Sequence, residues 1–281
     1  MRFATLRKDG RLGLAASSGG PFHGWLEGDP GYPGSLADLL RDGADLAEAG
    51  RRLLSGPELD LTALELLPPL ARPGKILCIG FNYADHVVET GQTLPAHPEV
   101  FVRFASTLTG HGAPIPRPEA STQLDFEGEL AAVIGRAGRH ISRETALDHI
   151  AGYSIFNDAT IRDFQFRTRQ WTLGKNFDGT GAFGPVLVTP DELPPGAKGL
   201  RLRTRLNGTV MQDAGTELMV FDVAALVAIL SEVMTLEPGD VIVTGTPSGV
   251  GFTRTPPVWM KPGDVCEIEL GGIGVLRNPI G

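Results

Sequence analysis

Three acidic residues at alternate positions, Asp125, Glu127 and Glu129, stand inside the otherwise apolar segment Leu124 to Ile134. An extended strand points successive side chains to opposite faces. The three carboxylates therefore share one face, and Leu124, Phe126, Leu130, Ala132 and Ile134 line the other. Neighbours in such a row lie roughly 6.5–7 Å apart, close enough for like charges to repel unless a cation lies between them. A hard divalent ion bound through oxygen relieves that repulsion.

A partner for the row follows in Ser154-Ile155-Phe156-Asn157-Asp158, an apolar strand that ends in an acid. Glu127, Glu129 and Asp158 then supply three carboxylate ligands and leave positions for water or substrate. Such a set suits Mg²⁺ or Mn²⁺ better than zinc, because no histidine or cysteine cluster has zinc spacing. The same residues also fit a plainer arrangement, in which the acids are a solvated strand face and Asp158 caps a helical turn.

His86 and Glu89 are a second candidate pair. On a helical turn, residues three apart meet on one face, so the carboxylate can orient the imidazole as a general base. An ordinary surface pair has the same spacing. Arg162, Gln165 and Lys175 follow Asp158 closely, and a lysine beside a metal can offset charge developing on oxygen. The segment Thr244 to Gly251 ends a strand in a glycine-rich turn whose amides can bind a carboxylate. It lacks the Gly-Lys-Ser/Thr of a Walker A loop.

The rest of the chain sets the frame. With 281 residues it has room for one large domain and an appendage. Residues 1–70 read as a small N-terminal domain, with a hairpin across Lys8-Asp9-Gly10 and helical spacing over Ser35 to Leu54; residues 71–281 read as a second, larger domain. Strands are expected at 75–80, 101–104, 124–134, 153–157, 184–189, 200–206 and 241–246, with 265–270 closing the set. Helices are expected from Asn82 and over Val223 to Met234, the latter capped by Asp222. Strands outnumber helices without regular alternation, so the fold class is a sheet-dominated α+β rather than doubly wound. The formal net charge of -8 and the lack of a basic run argue against nucleic acid. No apolar segment approaches bilayer length and the first residues lack a signal-peptide core, so a cytoplasmic, membrane-free protein is expected. Cys78 and Cys266 read as buried free thiols.

Taken in order, these segments resemble the fumarylacetoacetate hydrolase family over residues 72 to 281. The resemblance rests on Asn82-Tyr83-x-x-His86-x-x-Glu89, Asp125-Phe126-Glu127-Gly128-Glu129-Leu130, and Asn157-Asp158 followed by Arg162-Asp163-x-Gln165. Gly174-Lys175-x-Phe177-Asp178 and Thr244-Gly245-Thr246-Pro247-x-Gly249 complete it. It implies a mixed β-sandwich roll behind a small N-terminal domain, a homodimer, and Mg²⁺, Mn²⁺ or Ca²⁺ held by Glu127, Glu129 and Asp158. It further implies a catalytic His86/Glu89 dyad and substrate-side groups at Arg162, Gln165, Lys175 and Thr246. Where many members carry Lys-Pro, this chain has Arg103-Phe104, which places Arg103 among the expected substrate contacts.

The family's substrates are 2-oxo and 2,4-dioxo acids. The expected reaction is hydrolysis of a carbon–carbon bond in a 2,4-dioxo acid, with His86 activating water and Lys175 and Gln165 hydrogen-bonding the developing oxyanion. The alternative is an isomerase or decarboxylase acting on a related dicarboxylate. A non-catalytic metal-binding oligomer is a third reading. The segment Gly91 to Pro98 is a candidate lid.

Overall fold

The computed structural model describes residues 1–281. Strands β1 (Arg2–Lys8), β2 (Arg11–Ser17) and β3 (Phe22–Leu26) precede helices α1 (Leu36–Arg41) and α2 (Leu46–Leu54) and short strands β4 (Glu58–Leu59) and β5 (Glu65–Leu66). Then come β6 (Ile76–Gly80), α3 (Ala84–Glu89), β7 (Glu99–Val102), β8 (Leu108–Thr109), β9 (Leu124–Asp125), β10 (Gly128–Ile134), β11 (Ile150–Asp158) and β12 (Thr160–Ile161). Helices α4 (Arg162–Gln165) and α5 (Thr172–Lys175) lead into β13 (Gly181–Val188), β14 (Arg201–Leu206) and β15 (Thr209–Gly215). Helix α6 (Val223–Val233) and strands β16 (Val241–Val243), β17 (Val265–Leu270) and β18 (Gly274–Pro279) end the chain.

The mixed, sheet-dominated α+β class expected from the sequence is what forms. A twelve-stranded sheet runs β4-β3-β2-β1-β13-β11-β10-β16-β6-β7, with β5 added to β1 and β8 to β13. A second sheet of four strands runs β15-β14-β17-β18, and β12 pairs with β9 alone. The amino-terminal meander is continuous with the rest, since β1 bonds β13 through Arg2↔Val188 and Phe3↔Leu187.

Alternation along the central strands feeds two cores. Leu77, Ile79, Leu130, Ala132 and Ile134 face the four-stranded sheet and α6, packing with Leu202, Ile268, Leu226 and Leu230. Ile76, Cys78, Ala131 and Val133 face the other way, onto Leu36, Leu39, Leu40 and Leu53 of α1 and α2. Covering both faces removes water from the central strands, and β11 is buried along its whole length to Asp158. No helix is long and apolar enough to cross a membrane.

Two expectations change, and one strand finds its place. The helical stretch 35–54 is two helices, because Gly43 adopts φ 68 and Asp45 caps the second through the amide of Ala47. Val265–Leu270 is not the last strand: β18 pairs along its whole length. Residues 200–206 belong to the separate four-stranded sheet, whose strand β15 carries too polar a sequence to stand out. The cap of α6 is as expected, with Asp222 accepting from the amide of Ala225 at 2.9 Å.

Candidate active site

The row of acids is broken rather than continuous. β9 pairs with β12 (Thr160↔Asp125), β10 pairs with β11 (Glu129↔Phe156), and Phe126 and Glu127 lie between the two ladders. The break turns Asp125 away and brings Glu127 and Glu129 onto Asp158 at the end of β11. One ligand oxygen from each of these three residues lies within 4.8 Å of the others. Asn157 Oδ1 accepts from the amide of Glu127 at 3.1 Å, and the amide of Asp158 donates to the carbonyl of Glu127 at 2.9 Å. Exposures of 4% for Glu127, 2% for Glu129 and 0% for Asp158 rule out a solvated strand face.

Buried charge of this density needs compensation. Lys175 Nζ donates to Glu127 Oε2 and to Asp158 Oδ2, both at 2.6 Å. The guanidinium of Arg162 pairs with Glu127 at 2.6 Å and Asp125 at 2.8 Å, donates to Gln165 Oε1 at 2.9 Å, and lies over the Phe252 ring. Burial pushes the Glu127 carboxyl upward, but Arg162 and Lys175 outweigh it and hold the group at about 2.

Arg103 is not in the cavity wall. It is fully enclosed behind Asp158, donating to Asp158 Oδ1 at 2.5 Å, to Thr180 Oγ1 at 2.7 Å and to the carbonyl of Ala159 at 3.2 Å. The expectation that it contacts substrate is therefore corrected. With its donors spent inside the protein, Arg103 fixes a carboxylate from the rear.

Four carboxylates, Asp125, Glu127, Glu129 and Asp158, thus meet three cations, Arg103, Arg162 and Lys175. The residue left over is Glu129. Burial first, then Asp158 and Glu127, raise its carboxyl well above the usual range, against the charge of Lys175 and a 2.5 Å bond from the amide of Gly245. An all-oxygen donor set with one uncompensated acid is the chemistry a hard divalent cation satisfies, so Glu127, Glu129 and Asp158 form a buried triad able to hold one.

The second pair is also formed. Asn82, wholly buried, donates to the carbonyls of Phe221 and Thr244 and accepts from the amide of Phe221, fixing the start of α3. One turn on, His86 Nδ1 lies 3.1 Å from Glu89 Oε2. Burial pushes the Glu89 carboxyl up, but bonds from His86, Thr253 and the amide of Gly249 carry it below its ordinary value. An ionised Glu89 can only accept, so Nδ1 carries hydrogen and Nε2 is the free ring nitrogen. Neither thiol can substitute: Cys78 and Cys266 are buried, and desolvation pushes Cys266 up to about 12.

His86, Glu127, Glu129, Asp158, Arg162, Gln165, Lys175 and Thr246 all border one cavity. Thr246 Oγ1 is held by Gln212 and the carbonyl of Gly128. The other side of the cavity is aromatic, a wall that sequence reading missed. Trp171 meets Phe81 edge-on at 5.2 Å and Phe101 at 5.4 Å between ring centroids. Trp171 rests on Gly80, where a Cβ would collide with the indole.

The glycine-rich turn does bind carboxylates, but the protein's own. Gly245 donates to Glu129, Gly249 to Glu89 at 2.9 Å, and Gly251 and Phe252 to Asp125 at 2.8 and 3.1 Å. Main-chain donors of this kind leave only glycine as a trace in the sequence.

The chain is similar to known proteins along most of its length. The family profile described as "Fumarylacetoacetate (FAA) hydrolase C-terminal" matches residues 75–281. The chain is 40% identical over 274 residues to a mitochondrial oxaloacetate tautomerase of Xenopus laevis, covering 96% of this chain and 86% of that protein. It is 42% identical over 263 residues to the oxaloacetate tautomerase YisK of Bacillus subtilis, covering 89% and 87%. The solved fumarylacetoacetate hydrolase of Exiguobacterium antarcticum superposes with a TM-score of 0.86 at 38% identity, over 100% of this chain and 99% of that one. This chain belongs to the fumarylacetoacetate hydrolase family.

Proposed function

We propose that this protein is a divalent-metal-dependent tautomerase that interconverts the keto and enol forms of a small 2-oxo dicarboxylate of the oxaloacetate type. The observation that carries it is one imidazole, His86, backed by Glu89 and bordering the same cavity as the triad Glu127, Glu129 and Asp158. Its relatives named oxaloacetate tautomerases support the choice of reaction.

Tautomerisation moves one proton from the carbon beside the oxo group and puts one on the oxo oxygen. It consumes no water and breaks no carbon–carbon bond. His86 Nε2 takes the proton from carbon and passes it to the oxo oxygen, the reverse reaction running the same transfer backward, while Glu89 occupies Nδ1 and stabilises the intervening imidazolium. When bound by the triad, a divalent ion supplies Lewis acidity beside the oxo group. Lys175 and Arg162 add positive potential to the same corner, and the free amide of Gln165 orients a carboxylate or enol oxygen. The aromatic wall excludes water from the carbon being deprotonated.

The test follows decay of enol-oxaloacetate absorbance with Mg²⁺ or Mn²⁺ while pyruvate is measured in parallel. Accelerated enol decay without pyruvate is expected, with His86→Ala slower by on the order of 10²-fold or more. Turnover of His86→Ala within a few-fold of the parent would remove the imidazole from the reaction. A second reading, hydrolysis of a 2,4-dioxo acid, draws on the likeness to the Exiguobacterium hydrolase. Release of pyruvate with a second acid from an acylpyruvate, and no enol decay, would favour it.

A further inference from the structure

Glu89 spends its two oxygens differently. Oε2 faces His86, and Oε1 accepts from the amide of Gly249 at 2.9 Å and from the hydroxyl of Thr253 at 2.8 Å. The Thr253 oxygen also lies 3.0 Å from the carbonyl of Val250. A hydroxyl has one hydrogen, and the charged carboxylate is the stronger acceptor.

The segment carrying these donors is itself clamped. Arg254 reaches back to the carbonyl of Gly249 at 3.0 Å and to that of Met211 at 2.7 Å. Gly249 takes φ 100, and a Cβ at Gly249 or Gly251 would strike the carbonyl of Met211 or Val258. The amides of Gly251 and Phe252 between them hold Asp125, which in turn holds Arg162 against Glu127. Residues 249–253 therefore fix the proton-transfer pair and the acidic cluster from one piece of backbone.

The geometry points to Thr253 as a positioning residue for His86, acting through Glu89. This rests on the reading that His86 moves the proton. The Glu89 side chain keeps 21% of its surface exposed, so packing alone does not stop its carboxylate from turning. With one donor on Oε1 instead of two, Oε2 drifts from Nδ1 and the imidazole loses its fixed tautomer. Thr253 touches neither the cavity nor the triad, so substrate and metal affinity are not its province.

The experiment compares Thr253→Val and Thr253→Ser with the parent in the enol-oxaloacetate assay. Binding of Mn²⁺ alone is measured by calorimetry, and the His86 ring nitrogens by ¹⁵N NMR, assigned through His86→Ala. Thr253→Val is expected to lower kcat about tenfold with KM and Mn²⁺ affinity within twofold, and to replace a single Nδ1–H tautomer by a mixture. Thr253→Ser is expected to restore both kcat and the tautomer. If Thr253→Val does not fold, Thr253→Ala is read in the same way. An unchanged tautomer, a Ser variant as impaired as Val, or equal losses in KM and Mn²⁺ affinity would overturn the assignment. Absence of enol decay in the parent would instead overturn the proposed function, while the NMR result would still report on Thr253.

Discussion

The ammonium of Lys175 lies 2.6 Å from Glu127 Oε2, inside the ring of carboxylates that forms the candidate metal site. It makes an equal contact with Asp158, so a cation already bridges two of the three triad members.

Lys175→Met removes that bridge and leaves Glu127 to Arg162 alone and Asp158 to Arg103 alone, two buried carboxylates each short of one cation. Without metal the variant is expected to lose about 3–5 kcal/mol of stability in urea unfolding. Added Mg²⁺ is expected to recover much of it, and Mn²⁺ to bind at least as tightly as in the parent, while turnover falls by on the order of 10²-fold. Weaker Mn²⁺ binding in the variant would show that the lysine supports the site instead of competing for it.

Metal binding is expected to release a proton. The Glu129 carboxyl is raised in the metal-free protein, so it keeps its proton at pH values where an ordinary glutamate is ionised. A cation must displace that proton. Affinity therefore rises with pH and levels off only above the raised metal-free value. Calorimetry of Mn²⁺ binding in buffers of different ionisation heat measures the release, and buffer-independent heats would contradict it. EDTA is expected to abolish turnover.

Asp125 is expected to matter for stability without being a ligand. Its oxygens accept from Arg162 and from the amides of Phe126, Gly251 and Phe252. Asp125→Asn sets an amide NH₂ against these donors and leaves Arg162 undercompensated, at a cost on the order of 3 kcal/mol. A loss below about 1 kcal/mol in urea unfolding would mean that the glycine-rich turn is held by other contacts.

Trp171 sets the room available to the substrate's far end. Trp171→Ala is expected to raise KM for the short 2-oxo acid and to shift kcat/KM toward longer-tailed analogues by roughly tenfold. Gly80→Ala, which drives a methyl into the indole, is expected to lower kcat/KM for all of them. Equal kcat/KM ratios across tail lengths in Trp171→Ala and the parent would exclude the wall from specificity.

What the sequence made legible follows from side-chain chemistry. Alternating acids and the His86/Glu89 spacing carry their signal in residue type, so Glu127, Glu129, Asp158 and the dyad stood out as candidates before any coordinates, and the family resemblance supplied their expected roles. Arg103 misled because it stands where many family members carry lysine, and only the fold shows its donors turned onto Asp158, Ala159 and Thr180. The grip of residues 249–253 was hidden because amides are common to every residue. β18 was missed because Gly274, Arg277 and Pro279 interrupt its short apolar pattern, and tertiary pairing with β17 overrides that local weakness.

The bond between β1 and β13 bears on how this protein can be cut. Trimming the chain to its family-matched portion would take Phe3 and Leu14 out of the core that holds Phe183 and Leu187 and uncover the apolar end of β13 at Leu187 and Val188. Such a fragment would be an aggregation hazard before it was an enzyme, so the first seventy residues behave as a splint for the portion that carries the chemistry.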